Sequence, residues 1–361
     1  MTLKTVVTIT GIRPDFIRMC NIFRKLDKDE DINHVLIHTG QHYDDELSKV
    51  FFDELEIRKP NYTLEMGTSS KTQYEQLSYL SVAIIELIKK EKIHPDLVMF
   101  LGDSNSALAS LPLFKEGFKI AHIEGGMRSY DRRMPEEVNR VICDYLSDLV
   151  FVYTPLYKER LIKENKDPNS IFVVGNTITE IVKEHMPQGS RKRGYVIADI
   201  HRNENLSSLE QYDYILRYLS EVSIKTKLPV KLVKFNRGAE LAAKDDLYSK
   251  YPNIELVGPY GFLQYLTLQY HAYGVISDSG TSQEECPLLG VPVAVPRNFT
   301  ERPESVENGN SILVGEHKDI KDMVEKTINF FKSYQVGTNN ISWLGDGNTS
   351  TKIVQILKEK L

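Results

Sequence analysis

The 361-residue chain is predicted to be α/β, with two doubly wound Rossmann-like domains facing a crevice. Three observations carry that expectation. Short apolar runs alternate with segments of helical spacing along nearly the whole length, the pattern of parallel strands joined by crossover helices. Almost every apolar run ends in a cluster of Gly, Asp, Glu, His or Arg, as loops at the carboxyl edge of a parallel sheet do. The alternation also restarts after a polar, basic stretch, Gln188-Gly189-Ser190-Arg191-Lys192-Arg193, which reads as a linker. At roughly 100–200 residues per domain, this length suggests two domains.

The first domain is expected over residues 1–186. Val6–Thr10 reads as a strand, and a helix opens at Pro14 and runs through Leu26. His34–His38 is a second strand and Asp44–Leu55 an amphipathic helix. Thr72–Glu91 has apolar residues at helical spacing (Leu77, Leu80, Val82, Ile85, Leu87). Leu97–Leu101 is a strand ending in Gly102-Asp103-Ser104, followed by a helix over Ser106–Phe114. Lys119–Ile123 is a strand ending in Glu124-Gly125-Gly126, and Glu136–Ser147 is helical. Leu149–Val152, a helix over Pro155–Glu164 and a strand over Ile171–Val174 complete this half, which reaches Gly175-Asn176-Thr177.

The second domain is expected over 187–347. Its strands are Tyr195–Ile200, Val230–Lys234, Ile254–Val257, Tyr273–Ile276 and Pro292–Val295. Helices are expected at Leu209–Lys225, Phe262–Tyr270 and Ile320–Phe331, and residues 348–361 form a terminal helix.

Composition narrows the function classes. A net charge of −5 offers no basic excess for nucleic acid, so any phosphate must be held by local Arg, Lys and helix ends. No apolar run approaches the ~20 residues that span a bilayer. Cys20, Cys143 and Cys286 are far apart and lack CxxC spacing, which suggests neither disulfides nor a zinc site and fits a cytoplasmic protein. No metal site is expected. Without a Gly-x-Gly-x-x-Gly after the first strand, a Walker lysine or a Gly-x-Ser-x-Gly elbow, no cofactor is expected either.

The residues that can carry chemistry lie at strand ends. Ser277-Asp278-Ser279-Gly280 is a turn feeding a helix, whose outward N–H groups and positive dipole end suit a diphosphate. Glu284 or Glu285, one turn in, can accept from ribose hydroxyls; an ordinary capped amphipathic helix is the plain alternative. Gly11-Ile12-Arg13-Pro14 ends the first strand, with Arg13 and Arg18 flanking the helix start as candidate diphosphate ligands. Asp103, Glu124 and Glu136 follow three strands whose loops converge in a doubly wound sheet. Clustered carboxylates there can supply an acid and a base, unless each is simply a first-turn helix acid. His201 closes the first strand of the second domain, where it can donate to a phosphate or move a proton.

Together these motifs resemble the non-hydrolysing UDP-N-acetylglucosamine 2-epimerase family. The stations run from Gly11-Ile12-Arg13-Pro14 through Thr39-Gly40-Gln41-His42, Gly102-Asp103-Ser104 and His122-Ile123-Glu124-Gly125-Gly126-Met127-Arg128. They continue with Pro135-Glu136-Glu137-Val138-Asn139-Arg140, His201-Arg202-Asn203-Glu204-Asn205, Asp278-Ser279-Gly280 and Thr300-Glu301-Arg302-Pro303-Glu304, ending at Gly345-Asp346-Gly347. The resemblance implies the GT-B architecture, a last helix packed back on the N-terminal domain, and a homodimer. It further implies inversion at C2 of a UDP-linked N-acetylated sugar, by elimination of UDP to a 2-acetamidoglucal and re-addition. On this reading Arg13, Arg18, Ser279 and Gly280 hold UDP with Glu285 on the ribose. His201 joins that clamp and, with Asp103, Glu124 and Glu136, forms the catalytic set.

The chain departs from the family pattern in places. Arg18 replaces a usual Lys, Ser104 a Thr, and Thr281 the second Gly of Asp-Ser-Gly-Gly, narrowing approach to the diphosphate. A His- and Pro-containing loop is replaced by Phe235-Asn236-Arg237. The stretches 41–46 and 51–60 look closer to relatives acting on other UDP-amino sugars, of the UDP-N-acetyl-fucosamine or UDP-diacetamido-uronic-acid type. A GT-B glycosyltransferase is a further alternative. At the family's second, activating substrate site Gln41 is retained but Asp44 and Lys234 differ, so activation by substrate is expected to be weak or absent.

Overall fold

Among the described residues seven strands, all but the two-residue β3 rich in Val, Ile or Leu, pair in parallel to build the first sheet: β1 (Lys4–Thr10), β2 (Ile32–His38), β3 (Tyr62–Thr63), β4 (Leu97–Leu101), β5 (Ile120–Ile123), β6 (Leu149–Val152) and β7 (Ile171–Val173). Six more build a second parallel sheet: β8 (Val196–Asp199), β9 (Val230–Val233), β10 (Ile254–Val257), β11 (Gly274–Ser277), β12 (Val293–Val295) and β13 (Ser311–Leu313). The structure, a computed structural model, describes residues 3–41, 52–70, 72–131, 134–202, 204–243, 246–316 and 318–361. Strands covered by helices on both faces are apolar on both, and β4 to β6 are buried throughout.

The strand orders are β3-β2-β1-β4-β5-β6-β7 and β10-β9-β8-β11-β12-β13. Each sheet therefore reverses its winding once, between β1 and β4 in the first and between β8 and β11 in the second. Loops leaving the two strands at such a reversal diverge and open a recess at the sheet's carboxyl edge. These two points locate the candidate site residues.

Two compact units result, Met1–Ile181 with Ser342–Leu361, and Val182–Ile341. Four helices matter below: α1 (Arg13–Lys28), α2 (Pro135–Leu146), α3 (Ser282–Leu289) and α4 (Thr349–Lys360). The segment leading into α4 is stitched to the end of β7. Asn176 N donates to Leu344 O (3.0 Å), Thr179 Oγ1 to Leu344 O (2.8 Å), and Ser350 N to Glu180 Oε1 (2.9 Å). Gly175 and Gly345 make this possible: both have positive φ, and a Cβ on Gly345 would sit 2.8 Å from Gly175 Cα. Beyond them α4 packs on α1, and Lys358 pairs with Asp29 and Asp31 at 3.0 and 2.9 Å.

Differences from the sequence reading are local. The helix expected over Ser106–Phe114 is a 3-10 turn (Asn105–Ala109) followed by a short helix (Ser110–Lys115). Pro112 has no N–H to give to Leu108, so one continuous α-helix cannot form there. Strands β3 and β13 are too short to show a period. The helix expected over Asp44–Leu55 falls mostly outside the described residues, as do His42, Asp44 itself and Asn203.

Candidate active site

The first cluster stands at the β1/β4 reversal and on the neighbouring end of β5. Glu124 follows β5 in a left-handed conformation (φ 72°), uncommon for a residue with a side chain, and is almost fully buried. Arg140, on the inner face of α2, holds it there by donating from Nη1 to Glu124 O at 2.9 Å and to Oε1 at 3.0 Å. The other arm of the same guanidinium, Nη2, donates to Asp103 Oδ2. Asn139 Nδ2 adds a bond to Asp103 O at 2.9 Å. Two carboxylates from separate strands are thus joined through one planar cation, a geometry that suits Arg and not Lys.

Glu124 is gripped from its other side as well. Arg18 Nη1 donates to Glu124 Oε2 at 2.5 Å, and Tyr153 Oη donates to the same oxygen at 3.1 Å. Tyr153 in turn meets Thr177 Oγ1 at 3.0 Å, linking the Gly-Asn-Thr motif to the carboxylate. Arg18 therefore does not flank the start of α1; it lies on the buried face one turn further in, directed at Glu124. Glu136 stands in the first turn of α2, four residues before Arg140 and so on the same helix face.

The N-terminus of α1 is filled by its own sequence. Asp15 Oδ2 accepts from Gly11 N at 2.7 Å and Ile12 N at 3.1 Å, so these N–H groups are engaged before any ligand arrives. Arg13, half-buried, is the first residue of this helix. Burial pushes the Asp15 carboxyl up to about 7, against the two backbone bonds that favour its anion; the nearby charges of Asp103 and Glu124 raise it further.

The second cluster stands at the β8/β11 reversal. Asp278, fully buried after β11, accepts from His201 N (3.0 Å), Arg202 N (3.1 Å) and Asn205 Nδ2 (2.9 Å), fastening the loop after β8 to that after β11. His201 Nδ1 lies 3.1 Å from Asp199 Oδ1, and its ring packs on Phe235 with centroids 5.2 Å apart. Burial works against its protonation, but Asp278 and Asp199 overcome that and raise its pKa, favouring an imidazolium able to donate to an anion. Ser279 Oγ pairs with Thr281 Oγ1 at 2.9 Å.

Gly280 lies beneath a guanidinium: a Cβ there would fall 2.2 Å from Arg302 Nη1. Arg302 is itself buried and donates from Nε to Glu284 Oε1 at 3.0 Å, while Glu285 Oε2 accepts from Gln269 Nε2 at 3.1 Å. The two adjacent glutamates are thereby separated, Glu284 under the cationic lid on Gly280 and Glu285 towards the helix Phe262–His271. Among the described residues no group of three or more His, Cys, Asp or Glu is placed to hold a metal ion, and no helix is long and apolar enough to cross a membrane.

Residues 24–358 match the family model described as UDP-N-acetylglucosamine 2-epimerase. The chain belongs to the UDP-N-acetylglucosamine 2-epimerase family. It is 34% identical to the UDP-N-acetylglucosamine 2-epimerase of Methanocaldococcus jannaschii, over 97% of each chain. A crystal structure of M. jannaschii UDP-GlcNAc 2-epimerase in complex with UDP-GlcNAc and UDP is similar with a TM-score of 0.89 at 32% identity, covering 98% of this chain and 99% of that one. A UDP-2,3-diacetamido-2,3-dideoxy-D-glucuronate 2-epimerase of Pseudomonas aeruginosa is 32% identical over 87% of this chain and 89% of its own. The two parallel sheets with flanking helices are the GT-B-like arrangement of solved 2-epimerases.

For this family member the sequence named the strand-end carboxylates but passed over the groups that hold them. The motifs that contain Arg140, Asp278 and Arg302 give these residues no role of their own, and no motif gives one to Asp15 or Tyr153. The available signal was position: Asp15 falls in the first turn of a helix, and Asp278 ends a buried strand.

Proposed function

We propose that the protein interconverts UDP-N-acetylglucosamine and UDP-N-acetylmannosamine without hydrolysis. The observation that carries this reading is the Asp103–Arg140–Glu124 cluster, set at a switch point of a family whose M. jannaschii member is solved with UDP-GlcNAc and UDP. C2–H of the sugar is not adjacent to a carbonyl, so direct deprotonation is too costly. A carboxylate instead takes the C2 proton while the C1–O bond breaks and its electron pair leaves with UDP, giving 2-acetamidoglucal. UDP oxygen then re-forms the C1–O bond and a proton is delivered to the opposite face of C2. Asp103, Glu124 and Glu136 form the acid–base set in this reading, with Arg18 and Tyr153 orienting Glu124. Asp15, which carries a proton more readily than an ordinary carboxyl, stands close enough in charge to influence Asp103 and Glu124. Arg13, His201, Ser279 and Gly280 receive the diphosphate, and Glu285 the ribose; the raised pKa of His201 supports its role.

The same chemistry on another UDP-amino sugar is the second reading, favoured by Phe235 against His201 and by the P. aeruginosa relative. Proton NMR of UDP-N-acetylglucosamine with the protein in D2O decides between them. Deuterium at C2 together with UDP-N-acetylmannosamine is the expected result. Unlabelled starting material, with exchange seen only on a diacetamido or 6-deoxy UDP-sugar, would establish the second reading.

The enzyme is further proposed to work as a cytoplasmic homodimer. Exposed Val138, Val141 and Tyr145 share one face of α2, next to exposed Leu111 and Phe114 on the adjoining helix, a patch suited to a second copy. Cys20, Cys143 and Cys286 are free and buried, in keeping with a reducing compartment. Sedimentation of wild type and Val141→Asp tests the dimer, with a shift to monomer expected in the variant.

A further inference from the structure

Behind the Asp103 and Glu124 turns lies a buried group that the chemistry above does not use. His122 is on β5, fully buried, two residues before Glu124. Its Nε2 is 2.7 Å from Gly102 O, the carbonyl that leads into Asp103, and its Nδ1 is 2.7 Å from Asp144 Oδ1. A carbonyl only accepts. Asp144 is likewise an acceptor, since its Oδ2 already receives Gly126 N at 3.0 Å and Arg128 Nη1 at 2.8 Å. A neutral imidazole has one N–H and would set its remaining lone pair against an oxygen at hydrogen-bond distance; only the doubly protonated ring satisfies both neighbours. The titratable and charged groups around the ring are Asp144 and Cys143 on α2, with Arg128 reached through Asp144. Burial opposes the charge, but Cys143 and Asp144 push the ring up to about 10.

The same network reaches both functional turns. Asp144 packs on the loop that carries Glu124: a Cβ on Gly125 would lie 2.7 Å from Asp144 Oδ1, and Gly126 N is bound to Oδ2. Gly102, at φ 72°, runs beside Glu124, with its notional Cβ 3.9 Å from Oε1. We propose that His122 is a fixed imidazolium strut, a positioning residue that sets the Asp103 turn and, through Asp144, the Glu124 turn at their working separation. Its consequence for turnover rests on the epimerase reading; its charge state does not. The two bonds tie a cation between a backbone carbonyl and an anion in a fully buried position, where loss of either leaves a buried polar group unpaired.

The native protein labelled with nitrogen-15 in histidine gives the first test. Both ring nitrogens of His122 are expected to be protonated, with shifts constant from pH 6 to 8, a window that ends about two units below its pKa of about 10. A single protonated nitrogen, or titration within that window, overturns the strut. The second test is kinetic. His122→Gln and Asp144→Asn are each expected to lower kcat roughly 100-fold, the cost of a small misplacement of reacting groups, while UDP affinity is kept. The double variant is expected to be no slower than either single one, because both remove one linkage. Wild-type kcat in either single variant, or losses that multiply in the double, overturns the positioning role. Absence of epimerisation by the wild type would refute the substrate reading alone, and the nitrogen spectrum would still decide the strut.

Discussion

Two switch points of like topology are furnished in opposite ways. At the β1/β4 reversal, ligand-facing backbone is scarce: Asp15 occupies the N–H groups before α1, and side-chain charge dominates through Asp103, Glu124, Arg18 and Arg140. At the β8/β11 reversal the acidic side chains turn inward, Asp278 to the loop after β8 and Glu284 to Arg302, and a glycine–helix start remains at the edge. The first arrangement suits moving protons, and the second suits holding an anion that must leave and return unchanged. A doubly wound sheet supplies the recess; the residues that fill or vacate its helix start decide its use.

Two buried carboxyls make the contrast quantitative. Asp15 is raised to about 7, held by backbone donors and faced by the charges of Asp103 and Glu124, whereas Glu301 is lowered to about 2. Burial raises both; Arg202, Arg302 and Arg297 reverse its effect at Glu301. Burial therefore does not settle the direction of a shift, and the partner does.

The largest expected effect that sharpens this contrast comes from Arg140→Met. Without the guanidinium, Asp103 and Glu124 lose their shared partner, at a cost of about 3–5 kcal/mol in stability, and turnover falls with it. Urea unfolding and the epimerisation rate measure both; a variant as stable and active as wild type would show that the bridge is incidental.

Asp15→Asn comes next. Because its folded pKa of about 7 exceeds the ordinary 3.8, the contribution of Asp15 to stability is complete below pH 3.8 and is lost as pH rises to about 7. The amide still accepts from Gly11 and Ile12 yet has no charge to bury. Relative to wild type, the variant is expected to gain roughly 2–3 kcal/mol between pH 5 and pH 8. Equal pH profiles of the urea midpoint would place Asp15 outside the charge balance.

Gly280→Ala is the smallest and belongs to the other unit. Its new methyl group meets Arg302, so UDP affinity is expected to fall about tenfold, or ~1.4 kcal/mol, with kcat at saturation retained. Unchanged affinity with reduced kcat would move Gly280 to the chemical half of the comparison.

The sequence made the sheets legible because buried parallel strands are continuous apolar runs, and it showed the strand-end clusters because their polarity breaks those runs abruptly. Strand β13 needed three-dimensional context, whereas the break before Pro112 follows from a local cause, the missing proline N–H. Within the site, Asp103 and Glu124 stand out by position, but the cation joining them does not, since Arg140 reads as one more polar residue of an amphipathic helix. Arg18 and Glu124 are 106 residues apart, and nothing local distinguishes an arginine that pairs inward from one that meets a ligand. The choice between Glu284 and Glu285 is likewise made by Arg302 and Gln269, which only the fold brings near.

The division of labour between the units is tested most directly by Asp103→Asn, with UDP binding followed by calorimetry and C2 deuterium exchange followed by NMR on the same preparation. The expected result is wild-type UDP affinity with exchange slowed on the order of 10²–10⁴-fold. Loss of UDP affinity in step with exchange, in a variant that remains folded, would contradict the separation of chemistry from nucleotide holding.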